Sequence, residues 1–233
     1  MVHDRSAVKP RIFLIHALQD SQVPAWEAFA RGWPDAEICN VLDDSLPRDL
    51  AVEGGVSEAI SKRFMTLSAY VMSTAQGERR PAGILFTCSA FGPAIERVQQ
   101  SLSIPVLRPN EAAFEAALNA GPRIGLVVTF ANALPPLIRE LEAMARSRSL
   151  PVTVSTKVAN GALAALQAGD TALHDTIVAD VVASMPAVDA LVLCQFSLAR
   201  AARAIPARPG RLVMTTPDSA VTKLRRLVND KPA

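Results

Sequence analysis

Two of the three cysteines in this 233-residue chain stand where a thiol can do chemistry. Cys88 closes the run Ile84-Leu85-Phe86-Thr87, and Cys194 closes Leu191-Val192-Leu193. Beyond each, small or polar residues lead into an alanine-rich segment with helical spacing. A short apolar run feeding a helix reads as a buried parallel strand. The carboxyl end of such a strand is where open α/β folds bind ligands. A helix N-terminus there lowers a thiol's pKa, and its N–H groups can hold a carboxylate. Cys39, inside an ordinary strand, reads instead as a small buried apolar residue.

Two thiols facing each other across a cleft suit one task well. One thiolate removes the proton from a carbon beside a carboxylate, and the other thiol returns a proton to the opposite face. The stereocentre inverts and no cofactor is needed. Because such an α-proton is very weakly acidic, N–H donors must stabilise the enediolate as it forms. The turns after the cysteines, at Ser89 and Ala90 and at Gln195, are the expected donors.

The elements that must position these groups follow an α/β rhythm. Strands are expected at 11–17, 37–42, 84–87 and 104–107, then again at 123–129, 152–154, 190–193 and 211–214, with helical patterns between them. Pro109 and Pro217 each read as opening a helix. From Cys88 to Pro109 is 21 residues and from Cys194 to Pro217 is 23. The cysteines are 106 apart, and Ile12 and Ile124, in the half-opening strands, 112 apart. This order predicts two pseudo-symmetric α/β halves, each a mostly parallel sheet covered by helices. Residues 1–109 with 212–233 form the first half, the C-terminal helix returning to it, and 110–211 form the second.

Composition excludes several function classes. Half the residues are hydrophobic and a fifth charged, with a net charge of +2, as expected of a soluble globular protein. No basic run forms a nucleic-acid footprint, and eight Phe, two Trp and one Tyr are too few for stacking platforms. Three cysteines without close ligand spacing point to a reducing cytoplasm and no metal site. Met1-Val2-His3-Asp4-Arg5 lacks a signal-peptide core, and no apolar run reaches membrane-span length. Gly54-Gly55 is not a phosphate-binding pattern, so no nucleotide cofactor is expected.

Thr87-Cys88-Ser89, Leu193-Cys194-Gln195 and the two-half layout resemble the aspartate/glutamate/hydantoin racemase superfamily, from Ile12 to Leu227. That group also holds maleate isomerase and arylmalonate decarboxylase. The resemblance implies a cofactor-independent isomerase with its site between the halves, often dimeric, acting on a small carboxylate, amino acid or hydantoin-like substrate. It also implies a carboxylate anchor at the end of the second half's first strand, here Thr129 with Phe130 and Asn132. Departures narrow the substrate. Glutamate racemases carry Asp-Ser after the first strand and Thr-His after the second cysteine, whereas this chain has His16-Ala17-Leu18-Gln19 and Gln195-Phe196. Leu18 and Phe196 point to a substrate less polar than an amino dicarboxylate.

His16, ending the first strand, can titrate near neutrality, and Asp43, on a loop at the same end of the sheet, is a second candidate contact. Two rival readings stand beside the two-base isomerase. One is a cis–trans isomerase or decarboxylase using a cysteine directly; the other is a non-catalytic carboxylate-binding homologue.

Overall fold

Ile12-Phe13-Leu14-Ile15 is apolar throughout because β1 (Arg11–His16) is covered on both faces. The same holds for β3 (Pro81–Phe86), β5 (Arg123–Val128) and β7 (Ala190–Leu193). In a computed structural model describing residues 9–230, these four are the central strands of two parallel sheets. Residues 1–5, His3 among them, lie outside the described part.

Each sheet has four strands in the same order. The first runs β2-β1-β3-β4, with β2 Glu37–Leu42 and β4 Val106–Leu107. The second runs β6-β5-β7-β8, with β6 Thr153–Val158 and β8 Leu212–Thr215. Sequence reading stopped β6 at Val154. The strand continues because Ser155–Val158 keep pairing with Gly125–Val128 along a half-exposed edge. The segment after Asp43-Asp44-Ser45 also holds a helix that periodicity had not separated, α2 (Leu46–Glu53), between α1 (Gln22–Gly32) and α3 (Glu58–Ser73).

Strand pairing fixes the internal repeat residue by residue. Phe13 pairs with Ile84 as Ile124 pairs with Ala190, offsets of 111 and 106. Ile84 pairs with Val106 as Ala190 pairs with Leu212, again 106. Ile12 is therefore equivalent to Arg123, one residue from the match that sequence alone proposed. The two prolines are not equivalent either. Pro109 lies two residues before α5 (Glu111–Ala120), while Pro217 sits inside the first turn of α9 (Thr216–Asn229).

The helices that follow β4 and β8 are exchanged between the halves. Ala113, Phe114 and Ala117 of α5 pack on Ile124, Leu126 and Val192 of the second sheet. Ala220, Val221 and Leu224 of α9 pack on Ile12, Leu14 and Leu85 of the first. Gly83 in β3 lets α9 come this close, since a Cβ there would meet Leu224 Cδ1 at 3.0 Å. The segment 212–233 therefore divides: Leu212–Thr215 stay in the second sheet through their pairing with β7, and α9 crosses.

The remaining helices, α4 (Gly92–Ser101), α6 (Leu134–Ser147), α7 (Ala162–Gln167) and α8 (Thr171–Ala183), complete the layers around the sheets. Among the described residues no helix is long and apolar enough to cross a membrane.

Candidate active site

Parallel strands end on one side of their sheet, so the chain segments leaving β1, β3, β5 and β7 meet in a cavity of about 610 Å3. Asp20 and Ser21 line it from beyond β1, Thr87 to Ala90 from β3, Phe130, Asn132 and Ala133 from β5, and Cys194 to Ser197 from β7. Each strand is followed by 3-10 structure: Gln19–Ser21, Ser89–Phe91, Ala131–Ala133 and Phe196–Ala204. The last was expected to be α-helical. Its buried Leu198 and Ala201 stand three apart, the spacing that a 3-10 helix aligns.

The two sequence-singled cysteines line this one cavity, from pseudo-equivalent strand ends. Cys88 is half-buried. Burial pushes its thiol up, and the Ala90 N–H facing the sulfur offsets only part of that. Cys194 is 1% exposed, and its thiol donates to the Val192 carbonyl at 3.4 Å. Burial pushes it much higher, and the negative charge of Glu140 adds to the shift. The expected lowering by a helix N-terminus is thus reversed. Desolvation of a thiolate outweighs the few N–H groups that a short 3-10 turn can aim at it.

Ser89, Ala90, Phe130, Asn132 and Gln195 all line the cavity, as read from the sequence. Thr129 does not. Its N–H and hydroxyl both donate to Gln195 Oε1, at 2.6 and 2.8 Å, so Thr129 fixes the glutamine instead of facing the cavity. Asp43 is also outside the lining. Arg63 grips its two carboxylate oxygens from Nε and Nη2, each at 2.6 Å, and the Ser45 hydroxyl adds a bond at 2.7 Å.

His16 is fully buried beneath Cys88, bordering the same narrow gap, and is absent from the cavity lining. Its Nδ1 lies 2.9 Å from Thr87 Oγ1 and its Nε2 lies 3.0 Å from Asn40 Oδ1. The Trp26 indole N–H donates to that same Oδ1 at 2.9 Å. An indole N–H only donates, so the shared atom is an oxygen and His16 Nε2 must carry a proton. Nδ1 then accepts from the Thr87 hydroxyl. Burial lowers the imidazole pKa, with the Asn40 bond opposing, so the ring is neutral in this pocket.

Sequence reasoning missed other lining residues, among them Asp20, Leu50, Val56, Arg139 and Leu163. Asp20 receives a hydrogen bond from Gln167 Nε2 at 3.0 Å, which ties the two halves across the cleft. For Arg139 a signal was present. The α6 residues Leu137, Leu141 and Ala145 form its buried stripe, and Pro136, Arg139, Glu140 and Ala143 make a second one at helical spacing. That second stripe lines an adjoining cavity of about 440 Å3, together with Glu96 and Arg108. Burial there pushes the Glu140 carboxyl up to about 7, although Arg108 Nε lies 3.4 Å away. Among the described residues, no group of three or more His, Cys, Asp or Glu is placed to hold a metal ion.

Comparison with known proteins adds a family to this geometry. The family model described as Asp/Glu/hydantoin racemase matches residues 56–224. No curated protein sequence matches the chain significantly. Among solved structures, a glutamate racemase from Bacillus anthracis is similar at TM-score 0.69 and 14% identity, covering 94% of this chain and 82% of that one. An aspartate racemase from Picrophilus torridus is similar at 0.66 and 12%, covering 96% of each chain. An allantoin racemase from Pseudomonas fluorescens is similar at 0.63 and 19%, covering 94% and 91%. At these identities the structural likenesses establish the fold.

Proposed function

Because the chain belongs to the Asp/Glu/hydantoin racemase family, we propose that it is a cofactor-independent isomerase inverting the α-carbon of a small carboxylate or hydantoin-like substrate. Cys88 and Cys194 are its two acid/base groups. The observation that carries this reading is that one thiol from each half lines a single cavity.

The unequal burial of the thiols supports different resting roles for them. Cys88, the more accessible, ionises first and takes the α-proton; Cys194, held as a thiol, donates to the opposite face. The reverse reaction starts from the exchanged protonation states. Ser89 and Gln195, at the strand ends, hydrogen-bond the charge that develops on the carboxylate. Gln195 is well suited, since Thr129 holds its carbonyl oxygen and leaves its NH2 to face substrate. Assembly as a homodimer belongs to the same reading.

The test is α-deuterium uptake from D2O, followed by NMR across amino acids, hydantoins, arylated acids and dicarboxylates. One class exchanges and racemises, and Cys88→Ala and Cys194→Ala each lose about a thousandfold in racemisation. Wild-type racemisation in either variant would rule out a two-base mechanism.

The same difference in burial supports a second reading, in which Cys88 adds to an activated double bond as a nucleophile. A thioether at Cys88 with maleate-like substrates, seen by mass spectrometry, would favour it over proton transfer.

A further inference from the structure

Several of the donors that could hold a substrate carboxylate are already engaged. The Ala90 N–H faces the Cys88 sulfur. The Thr129 N–H and hydroxyl both end on Gln195 Oε1. A carbanion beside a free carboxylate needs the growing charge stabilised, and a cation adds more to that than neutral donors alone. Two charged side chains line the cavity among the described residues, Asp20 and Arg139. Asp20 has the wrong sign, which leaves Arg139 as the cation.

Arg139 is exposed on α6 and forms no hydrogen bond or ion pair among the described residues, unlike its neighbours Arg108 and Arg146. It lines both the thiol-bearing cavity and the adjoining one, together with Ser89, Ala90, Pro93 and Pro136. Arg139 thus belongs to the rim that the two cavities share, beside the Ser89-Ala90 turn that follows Cys88. Leu18, Leu50, Val56, Phe130 and Leu163 give the thiol-bearing cavity an apolar wall.

We propose that Arg139 is the anion-recognition residue of this cleft and that the substrate it selects is a carboxylate bearing an apolar, uncharged substituent. A planar guanidinium offers two parallel N–H donors to the two carboxylate oxygens. That bidentate contact fixes the carboxylate plane and neutralises its charge as the α-proton leaves. The substituent then lies against the apolar wall, with the α-carbon toward the thiols. The proposal rests on the racemase reading for its chemistry, but its binding half can be measured separately.

The probes are phenylacetate and its neutral isostere phenylacetamide, titrated into the full chain by calorimetry, with α-deuterium uptake measured on the acid. Wild type binds phenylacetate at least about tenfold more tightly than the amide. Arg139→Gln loses that preference by weakening the acid alone, and Arg139→Lys restores part of it. Arg146→Gln, on an exposed ion pair with Glu142, changes neither. The proposal is overturned if wild type does not prefer the acid, or if Arg139→Gln binds it within about twofold of wild type. Selective acid binding with no α-deuterium uptake in any carboxylate or hydantoin keeps Arg139 as the binding residue and removes the racemase reading. Uptake that persists unchanged in Arg139→Gln does the reverse.

Discussion

Laid over each other by strand pairing, the two halves present the same strand order and two different thiols. His16 and Thr87 in the first half take the places of Val127 and Leu193 in the second, while Leu18 and Ser89 take those of Thr129 and Gln195. The first half therefore has its polar pair one residue before the cysteine, His16 with Thr87. The second has it one residue after, Thr129 with Gln195. The first half leaves Cys88 half-buried above a hydrogen-bonded floor, and the second seals Cys194 over an apolar one. The polar pairs thus sit on opposite sides of the two cysteines, and the two pseudo-equivalent thiols differ in burial and in the Glu140 charge that reaches only Cys194. Under a two-base reading one thiol is ionised while its partner is not, and the two states exchange in the reverse direction, so the difference sets only which thiol rests as the base.

What the halves share is the exchange of helices, and the largest effects should come from breaking it. Phe114 of α5 and Leu224 of α9 are both fully buried, each in the core of the opposite sheet. Phe114→Ala is expected to cost about 4 kcal/mol and Leu224→Ala about 3 kcal/mol in urea unfolding. A cost below about 1 kcal/mol for either would mean that the crossing helix contributes little on that side.

What they do not share is thiol reactivity. Alkylation is a reaction of the thiolate, so rate follows the ionised fraction and access. With iodoacetamide at pH 8, Cys88 should react roughly a hundredfold faster than Cys194, as counted by peptide mass mapping. Because burial raises the Cys88 thiol above its ordinary value, its rate should still be climbing above pH 9. Equal rates at the two cysteines would erase the distinction between the halves.

How much of this was legible beforehand follows the same division. The two cysteines, the parallel sheets and the repeat were readable because buried parallel strands are short apolar runs, and Ile84–Phe86 and Leu191–Leu193 have the length and flanking residues of such strands. The one-residue slip between Ile12 and Arg123 was not readable, since a run of equally apolar residues carries no register. Thr129 and His16 were correctly seen at strand ends, but a strand end does not say whether a side chain turns to the cleft or to its neighbour. Gln195 and Thr87, the partners that decide it, are 66 and 71 residues away. Arg139 and Glu140 escaped because the segment was read only as a helix between two strands, with neither of its stripes assigned to a surface.

Glu140 is a charge that only the second half brings to its thiol. Its carboxyl is raised from 4.5 to about 7, chiefly by burial. The native state thus keeps a proton that the unfolded chain has lost. The resulting stability is complete below pH 4.5 and disappears as pH rises through 7. Glu140→Gln should therefore stabilise the protein at pH 8 by about 1–2 kcal/mol, after allowance for partial exposure and the lost Arg108 contact. The gain should vanish by about pH 4. With the charge gone, Cys194 should also alkylate faster at pH 8, narrowing its gap to Cys88. An unchanged Cys194 rate would make burial the whole cause of its inertness.

The smallest effect tests the floor beneath Cys88. His16 has its pKa lowered from 6.5 by burial, so folding disfavours the protonated ring and stability falls as pH drops below 6.5. The hydrogen-bond directions require a proton on Nε2 and none on Nδ1. Nitrogen-15 NMR should show that tautomer still predominating at pH 6.5, where an ordinary imidazole is half protonated. Thr87→Val removes the hydroxyl that donates to Nδ1 and should cost about 1 kcal/mol while leaving the tautomer in place, because Asn40 alone fixes the Nε2 proton. A ring that instead titrates at its ordinary value would put a cation under Cys88 near neutral pH. The greater acidity of Cys88 would then be an effect of charge, and the polar layer exchanged between the halves would act on the thiols through electrostatics instead of exposure.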